Sequence, residues 1–329
     1  MARDKLNLGL NYKYTFGDNP MLAIKNILLV LDQELDNKTA LKRAMQICKE
    51  QNSNLFITSY IYNHACEEGS LTDLELRHDL KALLIEKSQK WAEELMEEFY
   101  LPKDTPLSIC WCDHAYQSVL DNSQDYSFDL VVKAAANHHS ILDRVMQHQD
   151  WNLLKLCPAP VLLVKEKPAW ESRNILASID ATSLDDAHRV INEHICEFAE
   201  LLNSDNLYDT HLVNSYPMMS LTLASLPDTP IPEDLQQYVV NQHLEACEVI
   251  ANKYNIPEEQ THIREGEPEE VITTVAKHID ADVILVGILP EDGMQSIILG
   301  STIENVMDST SSDILAIKKQ DGVIDIEND

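Results

Sequence analysis

Between Val286 and Thr302 the chain reads VGILPEDGMQSIILGST. Glycine lets a backbone approach an anion closely, and a Gly-Ser pair opening a helix presents free N–H groups. Gly287, Gly300, Ser301 and Thr302 therefore have the types and order of a phosphate cradle. Pro290 interrupts it, because proline fixes φ and has no N–H to donate. Glu291 and Asp292 add negative charge beside it. A plainer use of Gly300-Ser301 is a helix N-cap alone.

Other residue groups could do different chemistry. In CWCDH, strand alternation puts Cys110, Cys112 and His114 on one face, and three soft ligands could hold zinc. No fourth ligand stands nearby, and cysteine is commonly a small buried hydrophobe. His138 and His139 are adjacent, so their side chains diverge; they read as solvated loop residues. YPMMSLTLASLP carries Met218, Met219 and Leu221 in a stretch too apolar to stand in water alone. It is either a lid packed on the following helix or an adaptable apolar wall for a ligand. No Gly-x-Ser-x-Gly elbow and no Gly-x-x-x-x-Gly-Lys-Ser/Thr loop occurs, so nothing marks a catalytic machine.

The elements that must position these residues come from a duplication. KNILLVLD (Lys25–Asp32) returns as RNILASID (Arg173–Asp180), at an offset of 148 residues. DLVVKA (Asp129–Ala134) returns as DVILVG (Asp282–Gly287), and PVLLVK (Pro160–Lys165) as DILAIK (Asp313–Lys318), both at an offset of 153. A repeat of this length fixes the domain count. It sets units at 22–166 and 172–319, joined by EKPAWES, with an N-terminal tail over 1–21 and an acidic tail over 320–329. Met21, directly before the first strand, is a second candidate start.

Each unit alternates short Val/Ile/Leu-rich runs with helical patterns, as when helices cover both faces of a parallel sheet. The runs are Ile27–Leu31, Leu55–Tyr60, Leu107–Cys112, Leu130–Lys133 and Val161–Val164. The second set is Ile175–Ile179, His211–Ser215, His262–Arg264, Val283–Val286 and Ile314–Ile317. Helix patterns cover Thr39–Glu50, Leu74–Tyr100, Pro232–Tyr254 and Thr302–Met307. Five strands with intervening helices predict a doubly wound α/β sheet with right-handed crossovers. Ligands on such sheets bind beyond the carboxyl ends of the strands, where Asp32, Asp180 and the loop after Val286 fall. The aspartates have a second use there, as caps of the next helix.

At 329 residues the chain can bury two cores, and 44% hydrophobic composition is ordinary. A net charge of −30 repels phosphate backbones, which argues against direct nucleic-acid binding. No apolar run is long enough to span a membrane, and seven scattered cysteines suit reduced thiols in the cytoplasm.

These features together resemble the universal stress protein superfamily in its tandem form. The resemblance covers residues 22–318 and is carried by DWNLLKLCPAPVLLVK (Asp150–Lys165), HLVNSYP (His211–Pro217), REGEPEEVI (Arg264–Ile272) and LGSTIENVMD (Leu299–Asp308). It implies two Rossmann-like domains, each a five-stranded parallel sheet of order 3-2-1-4-5, packed as a pseudo-dimer. The final strands, Val161–Val164 and Ile314–Ile317, would then cover each other, and a further homodimer is a separate option. It also implies a role in stress resistance, including survival after DNA damage.

Nucleotide-binding members of the family carry Gly, two residues, Gly, nine residues, then Gly-Ser or Gly-Thr. The second unit keeps Gly287, Gly300 and Ser301 but has Pro290 at the second glycine. The first offers Ala134, Asn137, Gln147 and His148, none of which matches. The resemblance makes Asp180 the partner of adenine and adds Val213 and Thr302 to the ligand set, with Asp32 as the first unit's counterpart. The expectation is a regulatory module whose second unit binds a small molecule: an ATP- or AMP-like nucleotide, or a nucleotide-linked apolar molecule. The first unit is expected to be lost to nucleotides and kept for packing. A slow ATPase and a ligand-free scaffold are the alternatives; no basic residue in the loop favours the ATPase.

Overall fold

The computed structural model describes residues 23–67, 73–136, 143–165, 167, 169–183, 185–217, 235–289 and 301–318. The two tails, His138 and His139, and the segment with Met218, Met219 and Leu221 lie outside the described residues, as do Asn137, Pro290 and Gly300. Ten strands form one sheet. In the first half they are β1 (Asn26–Leu31), β2 (Asn54–Ile61), β3 (Leu107–Trp111), β4 (Leu130–Ala134) and β5 (Val161–Val164). In the second they are β6 (Asn174–Ser178), β7 (Asp209–Tyr216), β8 (Thr261–Glu265), β9 (Val283–Ile288) and β10 (Asp313–Lys318). The order is β3-β2-β1-β4-β5-β10-β9-β6-β7-β8, which is 3-2-1-4-5 met from either end. Pairing within each half is parallel.

Helices cover both faces because alternate strand residues are apolar on both sides. Ile27, Leu29 and Leu31 point into one layer of core, and Leu28 and Val30 into the other. The first layer is closed by α1 (Lys38–Gln51), α2 (Leu74–Glu98), α5 (Asp186–Leu202) and α6 (Leu235–Lys253). The second is closed by α3 (Ala115–Asn122), α4 (Asp143–Leu156), α7 (Pro268–His278) and α8 (Ser301–Ser309). Helix α2 stops at Glu98 rather than Tyr100: Tyr100 takes a left-handed φ of 55°, and the Leu101 N–H turns back to the Met96 carbonyl.

The halves meet edge to edge, as the resemblance implied. Strands β5 and β10 pair antiparallel, with Leu163 opposite Ile314 and Leu162 opposite Leu315. All of these are buried, so two edges that would otherwise stand open satisfy each other. A reciprocal pair of lysines reinforces the seam. Lys165, at the end of β5, donates Nζ to the Met307 carbonyl near the end of α8, at 2.8 Å. Lys318, its repeat equivalent at the end of β10, donates to the Cys157 carbonyl just beyond α4, at 2.7 Å. Each half thus supplies a cation to the carbonyl end of the other half's last helix, where the macrodipole favours one.

The connection is not a loose tether. Trp170 is buried, and its indole Nε1 donates to Asp313 at 2.8 Å. Arg43 of α1 lies 2.9 Å from the same carboxylate with both side chains fully buried, and its guanidinium sits 4.6 Å from the Trp170 ring. The Arg43 Nε–H makes no hydrogen bond, so the contact is an ion pair without alignment, while Nη2 donates to the Lys167 carbonyl. Burial pushes the Asp313 carboxyl up to about 6, with Arg43 opposing the shift.

Candidate functional site in the second half

Strands β6, β7 and β9 end at one rim of the sheet. A cavity of about 670 Å³ opens there, within the range of small-molecule sites. Asp180, Gly287 and Thr302 line it. Its apolar side is built from α5, α7 and α8, through Ile191, Ile195, Ile272 and Ile303.

Buried amides hold the aspartate's backbone. The Asp180 N–H donates to Asn192 Oδ1 at 3.1 Å, and Asn192 Nδ2 returns a bond to the Asp180 carbonyl at 2.7 Å. Asp180 does not cap the following helix; that N-cap is Asp185, whose carboxylate accepts from the Ala187 N–H. The exposed Asp180 carboxylate is therefore not taken up by capping. Next to it, the Ala181 N–H donates to Asn214 Oδ1 at 3.0 Å. This fixes the amide's orientation, so Asn214 Nδ2 is the donor to His243 Nδ1 at 2.7 Å. Burial pushes the His243 imidazole below its ordinary value, with Asp180 opposing, so the ring is neutral at pH 7 and carries its proton on Nε2. His243 lines the cavity.

Gly287 has a packing role besides any toward a ligand. A Cβ there would lie 2.6 Å from Ile191 Cγ1, so its smallness is what lets α5 settle on β9. Gly266, at the end of the cavity nearest α7, holds a φ of 140° that side-chain-bearing residues rarely adopt. Val213 is buried in the core beneath the rim, and its carbonyl accepts the Ile179 N–H at 3.0 Å. Ser301 begins α8.

In the first half the same positions carry side chains that bond to one another. By the repeat offsets and the strand registers, Asp32, Tyr60, Lys133 and Asp150 stand where the second half has Asp180, Ser215, Val286 and Ile303. All four second-half residues line the cavity. The four first-half residues form a closed polar cluster instead. Lys133 Nζ lies 2.9 Å from Asp150 and 3.3 Å from Asp32, and the Tyr60 hydroxyl donates to Asp32 at 2.6 Å. The second Asp150 oxygen accepts the Ala136 N–H at 2.9 Å. Burial works against the Lys133 charge, but Asp150 and Asp32 outweigh it and hold its pKa above the ordinary value. Burial, and then the Asp32 charge, push the Tyr60 hydroxyl up, so it stays a donor. A buried lysine between two carboxylates is stable only while all three remain.

Cys110 lies against Thr58 and Asn122, while Cys112 donates to the His114 carbonyl. His114 stacks on Tyr116 and contacts Asp113. Burial pushes the Cys112 thiol up to about 12. Among the described residues no three His, Cys, Asp or Glu side chains gather as a metal ion would require. Gln147 and His148 fall in α4. No helix of the described residues is long and apolar enough to cross a membrane.

The model of the Universal stress protein family matches residues 23–165 and again 173–318. The chain belongs to the universal stress protein family. Among its curated relatives is universal stress protein E of Escherichia coli K12, 30% identical over 302 residues, spanning 91% of this chain and 95% of the relative. Universal stress protein E of Salmonella typhi is 29% identical and spans 94% and 99%. Among solved structures, a functionally unknown protein of Pseudomonas aeruginosa PAO1 superposes with a TM-score of 0.63 at 25% identity, covering 90% of this chain and 93% of that one. A universal stress protein of Archaeoglobus fulgidus shares the fold at a TM-score of 0.56 and 15% identity, covering 89% and 98%.

Proposed function

We propose that this chain is a small-molecule-binding regulatory protein of the cytoplasmic stress response, supporting resistance to stress and to DNA damage, and that only its second half takes the ligand. The stress role is that of its family. The asymmetry rests on one observation: four equivalent positions line a cavity in one half and close on each other in the other. Asp180, Thr302 and the rim around Gly287 are the ligand contacts in this reading, with His243 as a donor. The residues that follow Ile288 and Pro217 in sequence, among them Pro290, Gly300, Met218, Met219 and Leu221, would complete the site. The units run over 22–166 and 172–319, and the pairing of β5 with β10 lets one chain act as the pair.

Equilibrium dialysis with labelled adenosine tests this. Saturation should come at about one equivalent per chain, in keeping with a single formed site. Val286→Lys, which puts a lysine where the first half has Lys133, should remove binding. Two equivalents per chain, or full binding by the Val286→Lys variant, would contradict the reading.

A further inference from the structure

The cavity of the second half is lined by two carboxylates, Asp180 and Glu267, and by two imidazoles, His188 and His243. No lysine or arginine is among its described lining residues. Arg189, next to His188 on α5, is turned to Asp186 at 3.2 Å and Glu193 at 4.0 Å.

Helix dipoles do not make up the deficit. A helix N-terminus carries roughly +0.5 of an elementary charge, against a full negative charge on each carboxylate. At α7, Glu267 is itself the N-cap and makes no side-chain cap bond, and Pro268 removes an N–H from the first turn. The end of α7 that borders the cavity is therefore screened by its own carboxylate.

We propose that this cavity selects ligands of neutral or positive net charge, with a hydrogen-bond-donating head for Asp180 and Glu267 and an apolar body for Ile191, Ile195, Ile272 and Ile303, over phosphorylated ones. A nucleoside has this chemistry and its triphosphate does not. The proposal rests on the reading of the second half as the ligand half. It narrows that reading, since a phosphate cradle would take the triphosphate first.

Calorimetric titration with adenosine, AMP and ATP, in chelator and again with magnesium, isolates the charge because the three share one base. Affinity should fall in that order. The drop should be roughly tenfold for each added charge, the effect of a like charge about 12 Å away at an effective dielectric near 20. Glu267→Gln should narrow the gap between adenosine and ATP. ATP binding as tightly as adenosine, or a gap unchanged in both Glu267→Gln and Asp180→Asn, would overturn the charge selection and leave the ligand half standing. Failure of all three to bind would overturn the ligand-half reading, and this proposal with it.

Discussion

Gly287 serves two masters at the residue scale. It sits at the rim where a ligand would approach, and it also admits Ile191 of α5 to van der Waals contact with β9. If packing is its main physical role, Gly287→Ala forces an overlap at 2.6 Å. The expected cost is ~1–3 kcal/mol, the usual penalty of overfilling a close-packed site. Ile191→Ala should relieve it, so the double variant should lose less stability than the two single losses added together. Urea denaturation of the four proteins measures this coupling. Additive losses would mean that the glycine is there for another reason. The first half carries Ala134 at the same place in the repeat, so this close approach belongs to the second half.

At the scale of elements, β7 and the edge strand β8 carry a stacked pair of imidazoles. His211 Nδ1 and His262 Nε2 are 3.0 Å apart, so one ring donates to the other and the pair holds one proton between them. Burial pushes both pKa values down; His262 falls to about 4, with His211, Arg264 and His278 adding to the shift. A base whose folded pKa is depressed contributes stability that is complete above its ordinary 6.5 and is lost as pH falls through the folded value. Stability should therefore decline from pH 6.5 toward 4, and His262→Gln should flatten that decline. Parallel declines in wild type and variant would show that the pair does not titrate with folding.

The elements themselves were legible in the sequence, because each strand is a short apolar run and the repeat supplied every one twice. Their ends were less so. Helix α2 ends on the left-handed turn at Tyr100, which an aromatic residue does not advertise. The rim aspartates were legible as positions, and whether they capped helices was not, since Asn37 and Asp185 take the N-cap places only in three dimensions. Asn192 and His243 were missed because they reach the site from helices 12 and 63 residues beyond Asp180, a spacing no short motif spans. Lys133 is a readable signal: a lysine inside DLVVKA must find counter-charges, and Asp32 and Asp150 are those. Trp170 gave a similar signal, as a large aromatic in a connection needs somewhere to be buried.

For the whole molecule, the consequence of the β5–β10 seam is coupling. Leu163 and Leu315 are buried between halves, and a charge at either has no partner to meet. Leu163→Glu or Leu315→Glu should cost several kcal/mol, in line with an unpaired buried charge. The loss should appear in calorimetry as one transition shifted down. Early melting of one half with the other unchanged would show that the seam does not couple them. In the proposed asymmetry the duplicated sheet holds one open site and one self-filled site. Hydrogen–deuterium exchange with saturating adenosine tests it most directly. New protection is expected only at the second half's strand ends, around residues 178–182, 213–217 and 286–289, and none around 30–34, 58–62 or 133–136. Protection at the first half's strand ends, or at neither set, would contradict it.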